Sequence, residues 1–477
     1  MAFLLSRRFL RNRKMKLNEL TIKKAQEGLK DKKFSSTELV KSCLAQIKSQ
    51  NREINALITI CEKEALAQAK KADKEISEAK DVISKKPLLG IPLVIKDNFC
   101  TKGIKTTAGS KVLADFIPVY DATVVAKLKK AGAIILGKAN MDAWAHGSSG
   151  ENSDFGPTKN PYDKERVPGG SSSGPAVSVA TNMALAATGS DTGGSIRLPA
   201  SFCHVVGLKP TYGLVSRYGI IAMASSLDAI GHLTKTVEDS ALILKITAGH
   251  DDFDATTPKI PVPDYEKNLG ESIKGLKLGF PKEYFNTGLN EEIRKKVNKS
   301  LEQFRKLGVE VKEVSLPHTE YALAVYYIIQ PSEVSSNLAR YDGIRFGLGR
   351  ENFGDEAKRR IMLGTYTLSS GYYKAYYLKA MQARTLIKKD FDEVFKKVDV
   401  LLTPVSPTLP FKIGEKTTDP LQMYLSDIFT VTANLAGLPG LAIPSGKVNN
   451  LPVGFQILGP QFSEEKLFQV GYQYEQR

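Results

Sequence analysis

From residue 87 onward the chain alternates short apolar runs rich in β-branched residues with segments of helical length, and that alternation leaves little besides a β-sheet wrapped by helices. The runs include PLLGIPLVIK, AIILGK and VVGLKP, separated by DATVVAKLKKAG and GPAVSVATNMALAATG. Ahead of them, over residues 17–79, apolar residues recur at helical spacing, and this stretch is expected to be helical. Ser35 and Glu38 form a capping box in front of Leu39, Val40, Cys43, Leu44 and Ile47. A second helical stretch covers residues 322–398, and its many tyrosines are expected to pack between helices. Strand texture returns in VDVLLTP, LAIPSG and VGFQILG, so the tail is expected to rejoin the sheet. The expectation is an α/β chain with a mixed or largely parallel sheet, forming one domain over residues 15–477. Within it lie N-terminal helices (about 15–80), a catalytic core (about 85–320), a helical region (about 322–398) and a return to the sheet (about 399–477).

Other architectures are excluded by composition. With 42% hydrophobic and 25% charged residues, disorder, collagen and coiled coil do not fit the 477-residue chain. No apolar run approaches the roughly 18 to 20 residues of a membrane span, so no membrane partner is expected. Four cysteines stand 18, 39 and 103 residues apart, a spacing of neither a zinc knuckle nor a disulfide framework. A reducing, cytoplasmic setting is the expectation. Residues 1–14 carry five basic side chains and no acid, the composition of a transit peptide to an organelle matrix or of a false start ahead of Met15. A formal charge of +16 favours an acidic partner, nucleic acid being the commonest. The lysines are scattered, with no aromatic-studded basic strand, so any such contact is expected to be shared with another protein chain.

Two motifs mislead. GAIILGK falls one residue short of a P-loop, and Ala139 stands where a magnesium-binding hydroxyl is required. GSSSG matches a nucleophile elbow centred on Ser172, with His204, His232, His250 or His318 as conceivable partners, yet no strand leads into it. More informative is DTGGSIR. The amides of Thr192, Gly193, Gly194 and Ser195 can converge on an oxyanion, each typically worth about 2.7–4 kcal/mol, while the Ser195 hydroxyl is presented for attack. The same motif also fits a structural turn around a buried serine. A serine nucleophile without histidine needs an amine of lowered pKa. Lys96 ends the apolar strand IPLVIK, where a low dielectric disfavours its charge. Ser171 stands between the two as a relay.

KDNF at Lys96, GGSSSG at Gly169 and DTGGSIR at Asp191, in that order, resemble the amidase signature family. The resemblance implies that family's fold, a large mixed β-sheet core covered by helices on both faces. It also implies a catalytic triad of Ser195 as nucleophile, Ser171 as cis-serine and Lys96 as base, with no metal. Later blocks, among them NMDAWAHGSSGENSDFGPTKNP, RRIMLGTYTLSSGYYKAYY and TANLAGLPG, are similar to the branch that supplies the glutaminase subunits of tRNA-dependent amidotransferases. That likeness implies a glutamine pocket in which Arg360 and Asp427 hold the substrate carboxylate and amine, with Tyr326, or its neighbour Tyr327, beside them. It implies a heterotrimer completed by the B and C subunits of such an enzyme, with ammonia passing to the B component and misacylated tRNA bound mainly by that partner. ATP and magnesium are then used by the complex in the partner, and this chain carries no cofactor. The alternative is a stand-alone amidase acting on another small amide.

Overall fold

The structure, a computed structural model, describes residues 15–79, 81–285, 288–345 and 347–477. The basic N-terminal extension of residues 1–14 lies outside the described residues. The strands are β1 (Leu57–Ile60), β2 (Pro92–Lys96), β3 (Ile134–Ala139), β4 (Ala186–Asp191), β5 (Val206–Lys209), β6 (Ala229–Thr234), β7 (Lys277–Pro281), β8 (Glu310–Val314), β9 (Val400–Pro404), β10 (Gly440–Val448) and β11 (Leu451–Leu458). Among the described residues they form one sheet in the order β1-β3-β2-β4-β6-β5-β10-β11-β9-β7-β8. It is mixed: β3, β2 and β4 run parallel, as do β9, β7 and β8, and antiparallel pairs join these two groups.

Every residue of β2, β3 and β4 is buried. Parallel strands covered on both faces tolerate this, because helices from their crossovers shield them from water. Ser35 caps the helix Ser36–Ile54 together with Glu38, and Leu39, Val40, Cys43, Leu44 and Ile47 are its buried face. The stretch 17–79 is not helical throughout, however. It contains β1, which pairs antiparallel with β3 at the sheet edge. The small-residue segment after the serine cluster is likewise divided, a helix over Ser173–Ala180 giving way to β4 at Ala186. Asn182, at φ +59°, makes the turn between them.

The tail strands β10 and β11 lie between β5 and β9, near the middle of the sheet. The helices Ala322–Asn337, Asp355–Leu368 and Lys379–Val394 lie between β8 and β9 in sequence. The first two cross closely at Gly364, where a Cβ would strike the backbone of Pro331. Here the tyrosines depart from expectation. Tyr326 and Tyr327 are buried, but Tyr366, Tyr372, Tyr373 and Tyr376 are exposed, and three of them, Tyr366, Tyr372 and Tyr376, pack on one another at the surface. No helix among the described residues is long and apolar enough to cross a membrane.

Candidate active site

Lys96 is the last residue of β2 and Asp191 the last of β4. Because these strands are parallel neighbours, both end at the same sheet edge, the edge at which ligands of α/β sheets are held. The Lys96 side chain is fully buried. Its Nζ donates to the hydroxyls of Ser171, Ser172 and Ser190, at 2.9 Å in each case. Burial pushes the Lys96 ammonium down to about 7, against the opposing pull of the Asp142, Asp191 and Asp228 carboxylates.

The serine turn is held from outside. The Gly170–Ser171 peptide is cis. Gly170 N–H donates to the Ser148 carbonyl at 2.7 Å, and Asp142 N–H donates to the Ser171 carbonyl at 3.3 Å. The Asp142 carboxylate accepts from the amides of Gly150 and Asn152 at 3.0 and 2.9 Å, and burial pushes it up to about 7. A Cβ on Gly170 would overlap that carboxylate, so this position requires glycine for the close approach. Ser172 N–H donates to the Ser195 carbonyl at 3.1 Å and ties the two serine motifs together. The Ser195 hydroxyl has no hydrogen-bond partner among the described residues.

Asp191 organises the turn that carries Ser195. Its carboxylate accepts from Gly194 N–H at 2.8 Å and Ile196 N–H at 3.1 Å, and pairs in fork geometry with Nε and Nη2 of Arg197 at 3.0 Å each. Burial alone would raise the Asp191 carboxyl, but Arg197 holds it below the usual carboxylate range. This corrects one expectation for the oxyanion site: the Gly194 amide is committed to Asp191. The amides of Thr192, Gly193 and Ser195 have no partner among the described residues and remain available.

Beyond the turn, buried polar side chains from segments far apart in sequence come together. Tyr326 packs so tightly on Gly193 that a Cβ there would lie 2.6 Å from the phenol. Thr430 Oγ1 donates to the Gly193 carbonyl at 2.6 Å. Asp427 accepts from Ser148 Oγ at 2.8 Å and from Tyr327 Oη at 3.0 Å, and burial pushes its carboxyl up to about 6. The Arg360 guanidinium, also buried, is bound by Glu356 at 2.7 Å and lies over the rings of Tyr327 and Tyr424. Tyr326 thus meets the turn that carries Ser195, and Tyr327 meets Asp427.

The family model for amidases matches residues 38–468. The chain belongs to the amidase family. It is 53% identical to the A subunit of the glutamyl-tRNA(Gln) amidotransferase of Carboxydothermus hydrogenoformans, over 97% of this chain and 98% of that one. Among solved structures it resembles the corresponding glutamyl-tRNA(Gln) amidotransferase chain of Thermotoga maritima, at 43% identity and a TM-score of 0.79, covering 96% of this chain and 94% of that one. The peptide amidase of Stenotrophomonas maltophilia matches at 31% identity and a TM-score of 0.81, covering 96% and 97%. The backbone score is the higher for the more distant sequence, since the fold is common to amidases of different substrates; sequence identity is the better guide to the branch.

The other motifs read in the sequence lie apart from the serine cluster. From Ile134 on, GAIILGK lies in strand β3, and its Lys138 is buried against Asp97 at 3.4 Å. His232 pairs with Ser240, His250 with Asp252 and Thr257, and His318 with Asp390, none of them at the serine cluster. His204, at φ +58°, caps the helix Arg197–Cys203. Among the described residues no cluster of three or more His, Cys, Asp or Glu is placed to hold a metal ion. Sequence reasoning missed Asp142, Asn434 and His146. Asn434 donates to the Asp191 carbonyl at 2.9 Å and accepts from Arg197 at 2.6 Å. For Asp142 and His146 the signal was their place in the NMDAWAHGSSGENS block.

Proposed function

We propose that this amidase hydrolyses glutamine and serves as the glutaminase subunit of a tRNA-dependent amidotransferase, with Lys96, Ser171 and Ser195 as its triad. One observation carries the chemistry: a fully buried lysine, its pKa brought near neutrality, bonded at 2.9 Å to the hydroxyl of Ser171. The end-to-end identity with the A subunits of glutamyl-tRNA(Gln) amidotransferases supports glutamine as the amide and a multi-subunit assembly as its setting.

Neutral Lys96 takes the Ser171 proton as Ser171 takes that of Ser195, and the Ser195 oxygen adds to the side-chain amide carbon of glutamine. The amides of Thr192, Gly193 and Ser195 receive the oxyanion. The proton on Lys96 returns through Ser171 to the amide nitrogen, the carbon–nitrogen bond breaks, and ammonia leaves a glutamyl ester on Ser195. Water, deprotonated along the same route, resolves the ester to glutamate and restores the hydroxyl. Arg360 holds the substrate carboxylate and Asp427 its ammonium, which fixes the side-chain amide over Ser195. The B and C subunits complete the heterotrimer. Misacylated Glu-tRNA(Gln) or Asp-tRNA(Asn), ATP and magnesium are handled mainly by the partner, and this chain needs no cofactor. Four free, buried cysteines support a reducing compartment, the cytoplasm or an organelle matrix.

The test is ammonia release from glutamine by the purified chain, alone and with the B and C subunits, beside a Ser195→Ala control. Release that rises with the partners and charged tRNA and vanishes in the variant is the expected result. Partner-independent turnover of other amides without response to glutamine would replace this reading with that of a stand-alone amidase.

A further inference from the structure

His146 is 1% exposed, and neither of its ring nitrogens has a hydrogen-bond partner. Burying such a ring without partners costs free energy that folding does not return, so an unpaired imidazole two residues from the Ser148–Asp427 bond points to a group that arrives later. Its surroundings specify that group. Two residues on, Ser148 bonds Asp427, while the His146 carbonyl is fixed by Asn152 Nδ2 at 2.9 Å. Trp144 and Ala145, both at positive φ, fold the chain sharply ahead of it. Arg360 is the charged side chain that acts on the ring: burial first, and then the guanidinium, hold the imidazole well below its ordinary pKa. A neutral imidazole keeps one N–H to donate, and beside a guanidinium that donor is matched by an anion.

Resting on the glutamine reading above, we infer that His146 is a substrate-positioning residue that donates a ring N–H to the α-carboxylate held by Arg360. The bound carboxylate satisfies a donor that the protein itself leaves unpaired, so amino acid amides are favoured over amides lacking a carboxylate. His146 takes no part in the proton path, since Lys96 and the serines supply it.

The test is steady-state glutaminase kinetics of His146→Ala and His146→Gln in the full chain. A charge-assisted hydrogen bond predicts a rise in KM of about tenfold or more for His146→Ala with kcat held within about twofold. His146→Gln retains a donor and restores most of the loss. Thermal stabilisation of the Ser195→Ala protein by glutamine gives a readout independent of turnover, and it shrinks when His146→Ala is added. An unchanged KM, or a Gln variant as impaired as the Ala variant when both melt like the parent, overturns the inference and leaves the glutaminase reading standing. A parent chain that turns over other amides and ignores glutamine overturns both.

Discussion

Lys96 Nζ and Ser171 Oγ lie 2.9 Å apart, although 75 residues separate them along the chain. Nothing local enforces that distance. Lys96 is placed by β2, and Ser171 by a turn that hydrogen bonds to Asp142 and Ser148 hold in place. Both residues are fully buried, so the amine and the hydroxyl meet away from water, and the consequences are measurable.

Glutaminase kcat/KM is expected to rise with pH along a limb whose apparent pKa is near 7, because only neutral Lys96 accepts a proton and burial brings its pKa to about 7. The stability linkage has the same sign. The unfolded lysine keeps its proton up to about 10.5 and the folded one loses it near 7, so between these values the unfolded state binds more protons and this group's contribution to stability grows with pH. Lys96→Met should abolish activity and remove that slope. A pH profile flat from about 6 to 9 would rule Lys96 out as the base.

Ser171 and Ser172 contact Lys96 equally, yet their substitutions should differ. Ser172 Oγ already donates to the Ser190 carbonyl at 3.2 Å, so its proton is committed, whereas the Ser171 hydroxyl only accepts from Lys96. Ser171→Ala is expected to lower kcat by about 10²–10⁴, the usual weight of a proton-transfer group, and Ser172→Ala by less than about tenfold. Equal losses in both variants would contradict the relay through Ser171.

Asp191→Asn should destabilise the protein by about 3–5 kcal/mol, because it leaves the buried Arg197 charge short of its partner and weakens the Gly194 and Ile196 turn. Asp191 has a depressed folded pKa, so its contribution is fully present above about pH 4 and declines as pH falls toward the folded value. Urea unfolding of parent and variant at neutral and acid pH measures the difference, which should narrow with acid.

Gly193→Ala should cost activity well before it costs stability. Its Cβ would sit 2.6 Å from the Tyr326 phenol, and the turn carrying the three candidate oxyanion donors must shift to relieve it. Adding Tyr326→Leu, which removes the obstructing ring end, is expected to recover part of the kcat lost in Gly193→Ala. Strict additivity of the two substitutions in a double-mutant cycle would show that the contact does not set the turn.

What the sequence made legible followed from local rules. The strands around Lys96 and in the tail were readable because their apolar runs are bounded by turn residues, and the helix after Ser35 because its cap and apolar spacing agree. The strand β1 was hidden because four residues of LITI within helical flanks have no period of their own, and only pairing with β3 makes them a strand. The helix end at Ala180 was missed because small residues suit either state until packing decides. The exposed tyrosines of residues 366–376 read as helix packing on composition, which does not distinguish an inward face from an outward one.

The sequence alone determined the chemical inventory: a lysine at a strand end, a glycine-flanked serine cluster and a DTGGSIR turn, each carried by a few adjacent residues. Only the tertiary structure decided how those groups meet. It set which serines touch Lys96, which turn amides remain free once Asp191 has taken Gly194, and which distant side chains are buried beside Asp427 and the Ser195 turn, among them Tyr326 and Tyr327. The reason is that hydrogen-bond geometry and desolvation depend on atoms brought together by parallel strands and distant loops. A pKa near 7 on Lys96 is a property of that enclosure, and no stretch of neighbouring residues encodes it.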